Sequence, residues 1–169
     1  MIKQFAVAIF LALELTAYAT AVSAEEKTTL TVVNAGQGRM AAAHFKNAED
    51  CSGGKIPFKP GNVFASGQSV TIDIDPTHDF SMYVTTLDRF AGTGLGIGFS
   101  SCLVPFTFTP TAGKAYTVVF SANQKETACG VKLTATDSSG TQIEEPSFRP
   151  RDWRSPFLES GAFCKRNAP

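Results

Sequence analysis

The sequence predicts an all-β protein, an antiparallel β-sandwich with an irregular C-terminal tail. Three observations predict it. Short runs alternate apolar and polar residues with a period of two, which turns one face of a strand to a core and the other to water. Gly, Pro and Asp punctuate the gaps between those runs. Beyond the first two dozen residues, no long amphipathic helix is visible. In a chain of 169 residues, 43% hydrophobic and 18% charged, this pattern describes one domain with a proper core.

The elements follow in order. Residues 1–24 read as a cleaved export signal. Lys3 gives a positive start, Phe5 to Leu13 an apolar core, and Ala17 to Ala24 a zone of small residues. Val22 and Ala24 place the cut before Glu25, with a cut after Ala21 as second choice. Glu14 interrupts the apolar stretch, and no cysteine follows it closely enough for a lipid anchor. The apolar core falls well short of the ~20 residues that cross a bilayer, so no membrane span is expected.

Residues 25–143 are expected to hold the sandwich, of immunoglobulin-like or transthyretin-like form. Thr28 to Val33 is a β-branched strand. Gln68 to Asp75 sets Val70, Ile72 and Ile74 against Thr71, Asp73 and Asp75. Phe80 to Leu87 sets Phe80, Met82 and Val84 against Ser81, Tyr83 and Thr85, and Pro76 to Asp79 between these runs is a hairpin-sized connection. Phe106 and Phe108 alternate with Thr107 and Thr109; Tyr116 to Asn123 and Ala128 to Thr136 are two further strands, the last ending at an Asp137 to Gly140 turn. Met40 to Phe45 is ambiguous: its alanines suit a short helix, its length a strand. Residues 144–169, with Pro146, Pro150, Pro156 and Pro169, read as an extended tail tied back by a disulfide.

The Phe-x-Pro-x-Ala-Gly-x-x-Tyr pattern at Phe108 to Tyr116, followed by a strand, a cysteine strand and the Asp-Ser-Ser-Gly turn, resembles small exported bacterial β-sandwich proteins of unassigned function. The likeness covers about Phe106 to Gly140. It implies a fold and a compartment and carries no catalytic residues. Physically the pattern needs a proline-led turn, a glycine at positive φ and a tyrosine that seats the next strand.

Fifteen basic and fifteen acidic side chains cancel, which argues against a nucleic-acid binder. Cys51, Cys102, Cys129 and Cys164 behind an export signal read as two disulfides. Zinc is the competing reading, but the 50, 26 and 34 residues between them do not give the close pairs of a structural site. Of three possible connectivities, Cys51–Cys102 with Cys129–Cys164 is favoured, because it pins the Asp50 to Gly54 loop and the tail. A cross-sheet Cys102–Cys129 bridge is the alternative.

The candidate sites are few. Gly92 to Gly98 is glycine-rich but lacks the G-x-G-x-x-G spacing and a following helix, so it reads as a loop or a close-packed strand. Asp73, Asp75 and Asp79, with His78, could turn oxygens toward a calcium-like cation; the competing reading is a solvated face with an Asp-Pro turn. Neither His44 nor His78 has a partner at catalytic spacing, and no nucleophile elbow is present, so no catalytic residue and no cofactor is expected. In the tail, Arg151, Trp153, Arg154 and Phe157 combine the residue types that anchor interfaces. The competing reading straps the tail across the sandwich, with Trp153 plugging an open end of the core. Together these features predict an exported, non-catalytic protein that binds an envelope protein or another envelope component. A carrier of a small hydrophobic ligand and a hydrolase with a triad assembled from loops are the alternatives.

Overall fold

The computed structural model describes residues 27–58, 63–87, 91–93, 96–98, 102–122, 128–137, 139–154 and 161–165; the expected export signal lies outside the described residues. The strands are β1 (Thr29–Asn34), β2 (Met40–Asn47), β3 (Ser52–Pro57), β4 (Val63–Phe64), β5 (Ser69–Asp73), β6 (Phe80–Thr86), β7 (Ala91–Thr93), β8 (Gly96–Gly98), β9 (Leu103–Phe108), β10 (Ala115–Ala122), β11 (Cys129–Thr136), β12 (Gln142–Glu144) and β13 (Arg149–Pro150). One sheet runs β12-β11-β10-β1-β5 and the other β13-β9-β6-β2-β3, with β4 also on β2. The glycine-rich run supplies a separate hairpin, β7 with β8.

The two sheets pack on each other as a sandwich. Leu30 and Val32 of β1, Tyr116, Val118 and Phe120 of β10, and Leu133 and Ala135 of β11 point inward from the first sheet. Met40 and Ala42 of β2, Met82 and Val84 of β6, and Phe106 and Phe108 of β9 meet them from the second. The period of two in each run thus builds the core directly. The departure from an antiparallel arrangement is β1 with β10, which run parallel, Leu30 beside Tyr116 and Val32 beside Val118. β1 and β2 would share a sheet in the constant-type immunoglobulin order; here they lie in opposite sheets.

Pro76 to Asp79 is not a hairpin. β5 belongs to the first sheet and β6 to the second, so the connection is a corner between them. Asp75 builds it, its Oδ1 accepting the Thr77 N–H at 2.8 Å and the Thr77 hydroxyl at 2.6 Å. Apolar residues on either side of the corner face one core from opposite directions, which period-2 patterning cannot distinguish from a hairpin.

The tyrosine turn works as its chemistry requires. Gly113 has φ +76°. Its N–H donates to the Thr28 hydroxyl at 3.0 Å, and the Thr111 N–H donates to the Tyr116 hydroxyl at 2.7 Å. After β11, Asp137 Oδ1 accepts three bonds, from the Ser139 N–H and hydroxyl and from the Thr141 N–H, which close the turn into β12.

The ambiguous Met40 to Phe45 segment is the central part of β2. Its run of apolar residues imitates a helix because both faces are covered. Met40 and Ala42 enter the core between the sheets; Ala43 and Phe45 enter a second cluster with Tyr83, Cys51, Phe163 and Cys164 on the outer face of the second sheet. Ser81 and Tyr83, expected on a solvated face, are buried there too.

Candidate functional site

What covers that outer face is the tail. Past β13 the Arg151 N–H donates to the Pro105 oxygen at 3.0 Å. Trp153 then faces Cys164 across an isolated antiparallel bridge. The returning limb docks on the turn between β2 and β3: the Phe163 N–H reaches the Cys51 oxygen at 3.3 Å, and the Cys164 N–H the Asp50 oxygen at 3.0 Å. Cys51 sits in that turn at φ +57°, a left-handed conformation uncommon outside glycine.

The disulfides are Cys51–Cys164 and Cys102–Cys129. The favoured Cys51–Cys102 and Cys129–Cys164 pairing is therefore overturned, and the alternative Cys102–Cys129 bridge is the one present. It joins the approach to β9 in the second sheet to β11 in the first, so it staples sheet to sheet. The tail is pinned as expected, but to the β2–β3 turn, because its described residues cross the outer face of the second sheet while β11 belongs to the first. Both pairings satisfy the wish to fix the loop and the tail, and only the sheet order decides between them.

Trp153 is half-buried, its ring centroid 5.0 Å from Phe163, 5.5 Å from Tyr83 and 6.5 Å from Phe45. It lies on a sheet face and does not plug an open end of the core. Lys55 adds a cation over the Phe163 ring, its Nζ 4.3 Å from the centroid. Arg151 is buried and spent on the fold. Its guanidinium donates to the Ala48 oxygen at 3.2 Å, the Glu49 oxygen at 2.6 Å, the Lys165 oxygen at 2.5 Å and the Thr107 hydroxyl at 2.9 Å. The Thr107 hydroxyl also bonds Ser81, whose own hydroxyl reaches the Ala48 oxygen at 2.9 Å. Burial pulls the Arg151 pKa down, aided by neighbouring Arg149 and opposed by Asp50 and Asp79; an arginine stays charged regardless.

Arg154 is exposed, its Nε donating to the Ala162 oxygen at 3.1 Å. Phe157 lies outside the described residues. Of the four tail residues singled out, the structure therefore brings Arg151 and Trp153 into packing and leaves Arg154 and part of the Trp153 indole facing outward.

The acidic residues do not converge on a cation. Asp73 pairs with Lys27 at 2.8 Å, Asp75 caps the corner turn, and Asp79 accepts from Arg149 at 2.7 Å and from the Thr109 hydroxyl at 2.6 Å. Among the described residues no group of three His, Cys, Asp or Glu side chains is placed to hold a metal ion. Bonds from the Thr77 hydroxyl and N–H hold the Asp75 carboxyl below its usual range, with His78 a smaller contributor.

His44 points into the sandwich edge, stacked on Phe80 at 5.2 Å and edge-on to Phe58 at 5.6 Å. Burial lowers its pKa. Sequence reasoning missed the polar trio of Ser81, Thr107 and Arg151, since nothing in a period-2 pattern marks a hydroxyl that a distant arginine will cover. It also missed an open groove beside β11. The chain matches no protein-family model, no curated protein and no solved structure.

Proposed function

We propose that this is an exported, non-catalytic binding protein of the bacterial cell envelope or the medium, with an envelope protein or component as its partner. The observation that carries the reading is the cysteine chemistry. All four cysteines are paired, and the Cys51–Cys164 bond is buried beneath aromatic rings. Such cross-links form and persist in oxidising compartments, which agrees with the export signal read from residues 1–24. The phenylalanines that a carrier would spread around a pocket are packed on one another here: Phe80 on Phe108 at 5.8 Å, Phe106 on Phe148 at 5.3 Å, and Phe108 on Tyr116 at 5.0 Å. That close filling supports a binder that works through its surface.

The test is expression from the chain's own N-terminus in a bacterial host. The protein should leave the cytoplasm with Glu25 as its first residue by intact mass. A full-length product retained inside the cell would sink the export reading. A native mass spectrum of protein from its own source should show a co-purifying protein; extra small-molecule mass instead favours the carrier, and turnover in a hydrolase panel removes the non-catalytic assignment.

A further inference from the structure

β12 covers only the last three residues of β11, Gln142, Ile143 and Glu144 lying opposite Thr136, Ala135 and Thr134. The Glu145 N–H reaches the Leu133 oxygen at 3.1 Å, and a turn through Pro146 then carries the chain to the second sheet. By the two-residue period of a strand, the main-chain groups of Val131 and Cys129 point along the same edge as those of Leu133. Among the described residues no strand pairs with β11 there.

Beside this edge lies an open groove of about 390 Å³, lined by Val131, Lys132, Leu133, Glu144, Glu145 and Phe148. Phe148, packed on Phe106, gives it an aromatic wall. Lys132 stands at the rim, 3.0 Å from Glu144. Ile143, on the adjoining strand, is 48% exposed. Edges elsewhere are blunted in familiar ways: β3 by Gly53, Gly54 and Pro57, β13 by its length and Pro150, β5 by Asp73, and β12 by its length of three residues.

We infer that the free stretch of β11 is a strand-addition site for an extended segment of a partner protein, which continues the line of β12 across Cys129 to Lys132. The inference rests on the binding role proposed above and gives it a place and a ligand chemistry. An edge of alternating N–H and C=O groups is matched by an extended polypeptide, and β12 already occupies the other half of this edge in that manner. Side chains that face the groove meet Val131, Leu133 and Phe148, so they are apolar. The alternate side chain opposite Lys132 lies across the ladder from a cation that Glu144 already holds from β12, and an acidic residue there shares it from the other side. The partner segment therefore alternates apolar and acidic residues.

A random-peptide display library panned on the folded, oxidised protein supplies the probe. Enriched peptides should alternate apolar with acidic residues, protect the Val131 amide from hydrogen exchange, and bind Val131→Pro about tenfold more weakly, a change of ~1.4 kcal/mol. The Val131 N–H faces the edge and not β10, so proline there spares the inner ladder. Should that variant misfold, Lys132→Glu alters an exposed side chain and should weaken the same acidic peptides about tenfold. No enrichment above the library background, or protection that maps away from β11, overturns the inference while leaving the export and binding reading to its own test. A dimer in sedimentation that Val131→Pro dissociates overturns it in favour of a second copy as occupant.

Discussion

The Arg151 guanidinium donates to the Lys165 main-chain oxygen at 2.5 Å, so the outgoing and returning limbs of the tail are tied to each other as well as to the sandwich. The same guanidinium holds Ala48 and Glu49 of the β2–β3 turn and Thr107 of β9. One side chain therefore fixes three segments distant in sequence, and the Cys51–Cys164 bond closes beside it.

Removing it should be costly. Arg151→Ala removes the one donor shared by three carbonyls and a hydroxyl under the strap, at about 3 kcal/mol by urea unfolding. Arg151→Lys should recover little, since an ammonium on a flexible stem cannot reproduce the planar fork that spans these acceptors. Arg154→Ala is the control and should stay within about 0.5 kcal/mol. Equal effects at the two arginines would contradict the clamp.

Trp153→Ala should cost about 2 to 4 kcal/mol, because the indole packs on three aromatic rings yet remains half-exposed. Its emission in the parent should lie between buried and water-exposed limits and shift to the red on unfolding. A variant that melts with the parent would place the indole outside the packing.

Much of the sandwich was legible because its core strands obey one rule: Leu30 and Val32, Met82 and Val84, Tyr116, Val118 and Phe120 all alternate with residues that face away from the core. The rule fails where a second layer covers the other side. Alternation cannot announce that Ser81 and Tyr83 face a strap donated from seventy residues further on. The cysteine pairing was illegible for the same reason, since it depends on which sheet each strand joins, and β1 with β10 shows that sheet neighbours need not be neighbours in sequence. At the candidate site, residue type singled out Arg151 and Trp153. It left their use open between a surface anchor and a strap, because a buried guanidinium with four acceptors and a surface anchor carry the same letter.

His44 makes stability depend on pH. Its ring lies against Phe80 and Phe58, and burial lowers its pKa. The unfolded chain, with an ordinary histidine pKa of about 6.5, then binds more protons than the folded one at mildly acid pH. The stability held by the neutral ring is therefore complete above about pH 6.5 and falls as pH drops below that value, levelling once the folded form also protonates. Asp75 and Asp137, whose carboxyls are held low by hydrogen bonds, lose their contribution only at more acid pH, so the window from pH 7.5 to 5 is the one in which to read His44. Urea midpoints of the parent should fall across that window, and those of His44→Leu should fall less. Identical slopes would show that His44 does not titrate in a buried setting.

The two disulfides should separate by what they hold. Cys51–Cys164 spans 113 residues and Cys102–Cys129 spans 27. Chain-entropy reasoning gives the longer closure about 4.8 kcal/mol and the shorter about 3.5 kcal/mol. The sharper contrast is local. The Cys51→Ala and Cys164→Ala pair frees the returning limb, so Phe163 and Trp153 lose their seat, tryptophan emission moves to the red below the melting transition, and protease cuts the tail. The Cys102→Ala and Cys129→Ala pair loosens the seam between β9 and β11 and leaves Trp153 where it is. It should melt earlier with the parent's emission and an intact tail. A red shift in both double variants, or in neither, would contradict the strap as a unit closed by Cys51–Cys164 alone.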